Sequence, residues 1–219
     1  MTARRGFWDQ ETWIRAASGV VFVAVLLGAA AAGPWTFVPL WAVIGLGSLL
    51  EWWRHAGGAG ISWAAVFRTF LFLGLAGAMI SLPWSAGGVF DPKPVYLFLV
   101  LVWTNDTLAY VFGRMFGRHK LMPAVSPGKT WEGFAGGVLS AAAVAWAWTG
   151  EPWMAVLGGL TGVFATAGDL TQSAWKRRRQ LKDSGSILPG HGGFLDRFDG
   201  FLYALPLYVA IAWWAGDFF

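Results

Sequence analysis

The sequence predicts an all-α integral membrane protein with about seven transmembrane helices. Three observations lead there. The 219 residues are 56% hydrophobic and only 13% charged, whereas a soluble domain carries about a quarter charged residues. Mean hydropathy is +0.52. Sixteen Trp and thirty Gly also suit lipid, because Trp gathers at membrane interfaces and Gly is commoner in membrane helices than in soluble ones. The chain has no Cys, so no disulfide framework exists. A pI near 9.7 raises nucleic acid as a partner. Basic loops that orient membrane helices account for the same charge, and no nucleic acid is expected.

A spanning helix needs roughly 20 apolar residues. Seven stretches approach this, at 16–33, 34–51, 63–83, 94–113, 133–150, 153–171 and 200–216. Gly33-Pro34 makes a tight turn between the first two, and Glu151-Pro152 a second short connection. Arg4, Arg5 and Arg15 before an apolar run ending in Ala29 to Ala32 resemble a signal peptide. Pro34 follows at once and opens the next span, so the segment is read as retained. With the N-terminus in the cytoplasm, fifteen of the sixteen Lys and Arg fall on or near the inner side, and only Lys93 falls outside. Such a bias sets topology. It puts the C-terminus outside and any chemistry at the inner face.

Four polar stretches reach that face. Asn105-Asp106 lies inside the fourth span, where Asp106, Tyr110, Gly113, Arg114 and Gly117 share one helix face. A carboxylate in a span costs a few kcal/mol unless paired or hydrated, so it marks function unless it merely pairs with Arg114. The second stretch, SPGKTWEG at 126–133, is not a P-loop: position 123 is Pro, and no strand is expected before it. It reads as a turn and helix start, with Ser126 or Thr130 as the cap and Lys129 beside N–H groups that favour anions. The third is GDLTQS. There Asp169 and Ser173 lie one helical turn apart, and a carboxylate and a hydroxyl aimed at one spot suit a hard cation such as Mg²⁺. A salt bridge to the basic run is the alternative for Asp169.

The fourth stretch, 176–200, is the most charged. Lys176 to Arg179 alone would be an orienting cluster or an attraction to anionic lipid. That does not explain Pro189-Gly190-His191-Gly192-Gly193, whose glycines let backbone approach a ligand. Nor does it explain Asp196 and Asp199, set at i, i+3 where the last span begins. Carboxylates converging where spans reach the cytoplasm, ringed by Lys and Arg, suit a divalent cation holding a polyphosphate. That is how phosphoryl or nucleotidyl transfer is stabilised.

The run Ser173-x-x-Lys176-Arg177-x4-Lys182-Asp183-x-Gly185-x2-Leu188-Pro189-x-His191-Gly192-Gly193-Phe194-x-Asp196-Arg197-Phe198-Asp199 resembles the signature of phosphatidate cytidylyltransferases, also called CDP-diacylglycerol synthases. Ser126-Pro127-x-Lys129-Thr130-x-Glu132-Gly133 and Asp106-Thr107-x-Ala109-Tyr110-x-x-Gly113-Arg114 also resemble family segments. The first hundred residues match only in being hydrophobic. The resemblance implies CTP + phosphatidate → CDP-diacylglycerol + pyrophosphate, dependent on Mg²⁺ and with room for a second cation such as K⁺. It assigns metal binding to Asp169, Asp196 and Asp199, and phosphate neutralisation to Lys176, Arg177, Lys182 and Arg197. His191 would orient by hydrogen bonding. Ser126, Lys129, Thr130, Ser173, Asp106, Arg114, Gly192 and Gly193 would contact substrate or support the site.

On this reading residues 1–100 are a scaffold of about three spans, and 101–219 are the catalytic membrane region of one continuous domain. The expected partners are CTP, phosphatidate, the bilayer and a second copy in a homodimer. The expected location is the inner (cytoplasmic) membrane. Many family members are longer at the N-terminus, which leaves open another lipid substrate. The rival enzymes are a CTP-dependent polyprenol kinase and a CDP-archaeol-type synthase. A cation transporter would instead spread its acids through the membrane depth. A lipid-binding scaffold would tolerate loss of Asp169 and Asp196.

Overall fold

The computed structural model describes residues 10–56, 63–85, 87–181, 184, 193 and 195–215. Among them run seven helices and one small hairpin: α1 (Gln10–Ala31), α2 (Pro34–Ala56), α3 (Trp63–Ser81), α4 (Lys93–Phe116), β1 (Lys120–Met122), β2 (Ser126–Thr130), α5 (Trp131–Thr149), α6 (Met154–Arg178) and α7 (Phe201–Ala215). Three of the described helices are long and apolar enough to cross a membrane, at Pro34–Arg54, Lys93–Phe116 and Met154–Arg178. Shorter apolar helical segments lie at Ala17–Ala31, Thr69–Ser81 and Phe201–Trp214.

Both predicted turns are present. Gly33 takes φ +102° between α1 and α2, and Gly150 takes φ +78° after α5, where its N–H reaches the Trp146 carbonyl at 2.7 Å. Only glycine adopts these angles without a steric cost. The fold is mostly helical, in line with the all-α expectation, and one local reading is corrected. Ser126–Thr130 is not a bare turn but strand β2, and a strand does precede it: β1 pairs with β2 antiparallel, Lys120 facing Thr130 and Met122 facing Ser126. The helical start comes after it. Thr130 is extended, and its Oγ1 accepts the Gly133 N–H at 3.1 Å as the α5 N-cap.

Helices α4, α5 and α6 pack most closely, and α7 seats on α6. Small residues allow this. A Cβ on Gly137 of α5 would lie 2.6 Å from the Asn105 carbonyl oxygen of α4, and one on Gly158 of α6 would strike the Ala141 carbonyl of α5. Membrane helices associate through such close packing, because lipid supplies no hydrophobic force between them. An aromatic cluster joins the other half. Trp41 of α2 meets Phe198 at 5.3 Å between centroids, and Phe198 meets Phe201 at 5.0 Å. Phe201 in turn meets Phe98 of α4 at 4.9 Å. Phe198 is therefore anchored in the core between Asp196 and Asp199, which fixes where those two acids begin.

Candidate functional site

The site forms where the C-terminal halves of α4 and α6, strand β2 and the 193–200 turn meet. Helix α6 runs past the expected boundary at 171 to Arg178. Asp169, Ser173 and Lys176 are therefore successive positions on one continuous helix. Ser173 Oγ donates to Asp169 Oδ1 at 3.1 Å. From the hairpin, Lys129 Nζ forms an ion pair with Asp169 Oδ2, both side chains being 28% exposed. Lys129 thus faces a carboxylate rather than only a helix N-terminus.

Two more acids share this junction. A Cβ on Gly168 would lie 2.5 Å from the Asp199 carbonyl oxygen, so the turn rides directly against α6 beside Asp169. Burial, then the charge of Asp169, push the Asp199 carboxyl well above the usual carboxylate range. Asp106 adds to this, while Lys176 and the Gly200 N–H oppose it. Asp106 is held through Asn105, which is fully buried at the crossing of α4, α5 and α6. Asn105 Nδ2 donates to Asp106 Oδ1 at 3.2 Å and to Thr166 Oγ1 at 3.4 Å. Arg114 bonds the Tyr110 hydroxyl at 3.0 Å, and among the described residues it forms no ion pair with Asp106.

Asp196 has a different setting. Its Oδ1 accepts Lys176 Nζ at 2.8 Å, and its Oδ2 accepts the N–H of Ser184 at 2.7 Å and of Gly193 at 3.0 Å. Burial raises its carboxyl, but the Lys176 hydrogen bond and those two N–H groups outweigh burial and hold it below the usual range. Arg177 and Arg197 are exposed. Ser126 begins β2, half-buried. Lys182, His191 and Gly192 lie outside the described residues.

Four supporting residues have no role assigned by the sequence alone. Asn105 is visible only as a polar neighbour of Asp106. His119 and Glu132 clamp the hairpin to α5, with Nδ1 and Oε1 2.6 Å apart, and nothing in their spacing announces the pair. Glu51 of α2 is 2% exposed, and its Oε2 accepts the Leu195 N–H at 3.1 Å.

Among the described residues no three His, Cys, Asp or Glu side chains form a ready metal cage. Mg²⁺ does not require one. It usually keeps several waters and binds through one or two carboxylates plus substrate phosphates. Hard oxygen donors from Asp169 and Asp199, with mutual repulsion that a cation would relieve, fit that ion.

Fold and site together define a helical, membrane-type protein that gathers acids and lysines at one end of its bundle. A sequence profile of the cytidylyltransferase family matches residues 63–214, and the chain belongs to that family. It is 48% identical over 120 residues to a phosphatidate cytidylyltransferase of Staphylococcus haemolyticus (strain JCSC1435), covering 52% of this chain and 46% of that protein. It is 48% identical over 122 residues to one from Staphylococcus aureus (strain COL), with the same shares. For one from Staphylococcus epidermidis (strain ATCC 12228) the figure is 47% over 120 residues. The chain spans about half the length of the curated relatives it matches.

Proposed function

We propose that the protein is a phosphatidate cytidylyltransferase that converts CTP and phosphatidate to CDP-diacylglycerol and pyrophosphate. The observation that carries this reading is the junction of Asp169 with Lys129 on one side and Asp199 on the other. Acids and a lysine brought together from separate elements are what a metal-bound polyphosphate requires. Membership of the cytidylyltransferase family and the names of the relatives support the choice of reaction.

A lipid phosphate oxygen attacks the α-phosphorus of CTP. The new O–P bond forms as the bond to the β-phosphate oxygen breaks, and pyrophosphate leaves with its electron pair. No covalent enzyme intermediate is needed, because the lipid phosphate is itself the nucleophile, and no general base is needed, because that phosphate is largely ionised near neutral pH, its second pKa being about 6 by comparison with phosphorylated side chains. Asp169 and Asp199 would hold Mg²⁺. Asp196 would join them by giving up Lys176, and a second cation such as K⁺ would sit nearby. When bound, the metal neutralises charge on the phosphates and polarises the reacting phosphorus. Lys129, freed from Asp169, and Lys176, Arg177, Lys182 and Arg197 neutralise the triphosphate and the developing pyrophosphate. Ser173 orients Asp169, Thr130 holds Lys129 in register with α5, and Asn105 fixes Asp106. Arg114, Ser126, Gly192 and Gly193 would contact substrate or support the site, and His191 would orient substrate by hydrogen bonding.

On this reading the chain is a multi-pass inner-membrane protein with seven spans, N-terminus and site in the cytoplasm and C-terminus outside. Residues 1–100 are the scaffold, 101–219 the catalytic region, and a homodimer the working assembly. The test is purified protein in detergent or lipid with Mg²⁺ and CTP, offered phosphatidate, a polyprenol or an archaeal-type lipid. CDP-diacylglycerol with stoichiometric pyrophosphate is expected from phosphatidate. Release of CDP with a phosphorylated polyprenol would replace the reading by a kinase, and preference for the archaeal-type lipid by the related synthase.

A further inference from the structure

Glu51 ends the apolar run of α2 and lies outside the 63–214 family match. It is 2% exposed, and a carboxylate is rarely so buried without a purpose for its charge. Its Oε2 takes the Leu195 N–H across 144 residues of sequence. A Cβ on Gly193 would fall 2.5 Å from Oε1 and 2.6 Å from Cδ, so any side chain at 193 would displace the carboxylate from this position. Trp52, the next residue, packs with Leu195, and Phe72 and Trp175 close the cluster from α3 and α6. Two carboxylates therefore answer two amides of one turn. Asp196 takes the Gly193 N–H from within, and Glu51 takes the Leu195 N–H from the N-terminal helices.

We propose that Glu51 is a positioning residue for nucleotidyl transfer, latching the 193–200 turn so that Asp196 stays on Lys176 and Asp199 is held beside Asp169. This rests on the proposed function for its kinetic part only. Glu51 acts through backbone, by supplying the acceptor that the buried Leu195 N–H needs. The latch gives the N-terminal helices a role in the reaction, although the acids and bases of the site come from residues after 100.

The experiment compares Glu51→Ala, Glu51→Gln and Gly193→Ala with the parent in detergent. Amide hydrogen exchange is followed over residues 193–200, and steady-state kinetics with CTP and phosphatidate run in parallel. In Glu51→Ala, exchange at Leu195 and its neighbours should rise about tenfold or more while α4, α5 and α6 keep their protection. The value of kcat should fall about 10- to 100-fold, the range set by leaving a buried N–H without its acceptor, with KM for CTP moving less than about twofold. Glu51→Gln, which keeps an acceptor, should recover most of both. Gly193→Ala should reproduce the exchange change, because its Cβ expels the carboxylate. Unchanged exchange in Glu51→Ala would overturn the inference whatever the activity. Loss of protection throughout the protein in both Glu51 variants would overturn it too, leaving Glu51 a purely structural residue. A parent without nucleotidyl transfer would sink the proposed reaction, and the exchange data would still decide whether the latch exists.

Discussion

Two groups of carboxylates border the 193–200 turn, and they are built on opposite principles. Glu51 and Asp196 each end on backbone N–H groups, and Asp196 also has the Lys176 ammonium. Every contact there lowers the energy of the charged form. Asp169, Asp199 and Asp106 instead face one another with Lys129 as the cation paired to Asp169, and Asp199 is held far from its preferred ionisation. The first group looks like fastening. The second has charge in excess of its partners, and such strain persists at sites where a ligand will relieve it. The sequence offers both groups as equally acidic, whereas the geometry separates carboxylates already fastened, of which Asp196 is released only if Lys176 turns to substrate, from carboxylates in mutual repulsion.

That contrast can be broken in several ways. The largest effect is expected from Asp169→Asn. The amide is isosteric and still accepts from Ser173, so the fold survives, but turnover should fall about a thousandfold, the scale of losing several kcal/mol of metal-assisted stabilisation. Wild-type turnover would remove Asp169 from the mechanism. Next comes Lys176→Met, which strands a carboxylate whose side chain is only 5% exposed. It should cost about 3 kcal/mol of stability. Pairing it with Asp196→Asn should recover part of that loss in thermal unfolding, as a fastening pair requires. Gly137→Ala drives a methyl into the α4 backbone at Asn105 and should destabilise by about 1–3 kcal/mol. Thr130→Ala removes the α5 cap at a cost of about 1 kcal/mol, read as a small drop in Tm with weaker CTP affinity through Lys129.

The smallest effect tests the mutually repelling group by its pH dependence. Asp199 has a folded pKa above its unfolded value of about 3.9. Between those two values the folded state binds more protons than the unfolded one, so stability falls as pH rises through that window. In a chelator at neutral pH, Asp199→Asn should therefore raise Tm by a few degrees and flatten this slope. Added Mg²⁺ should then stabilise the parent but not the variant. A drop in Tm would place Asp199 with the fastening group.

The sequence made the helices legible because each is a long apolar run with clear stops, such as Gly33-Pro34 and Gly150. It also pointed to Asp106, Asp169, Asp196 and Asp199, since charge inside or at the end of an apolar span is costly and hence conspicuous. The hairpin was missed because β1 has three residues and Ser126-Pro127-Gly128 carries turn composition. Thr130 was foreseen as a cap, whereas its place at the end of a strand was not. Glu51 was hidden for a different reason. A single acid at the end of an apolar helix, three residues before Arg54, looks like the edge of a span. Only the return of the chain 144 residues later gives its charge a purpose. Likewise the division between Asp196 and Asp199 depends on which backbone amides the turn presents, and spacing alone carries no trace of it.

The most direct test of the central claim is CTP binding by calorimetry, with and without Mg²⁺, in the parent protein and in Asp169→Asn. If the acids of this junction grip a cation that holds the triphosphate, binding will need Mg²⁺ and will weaken about a hundredfold in the variant, roughly the loss of one charge-assisted contact. Equal CTP affinity in chelator, or in Asp169→Asn, would contradict the account.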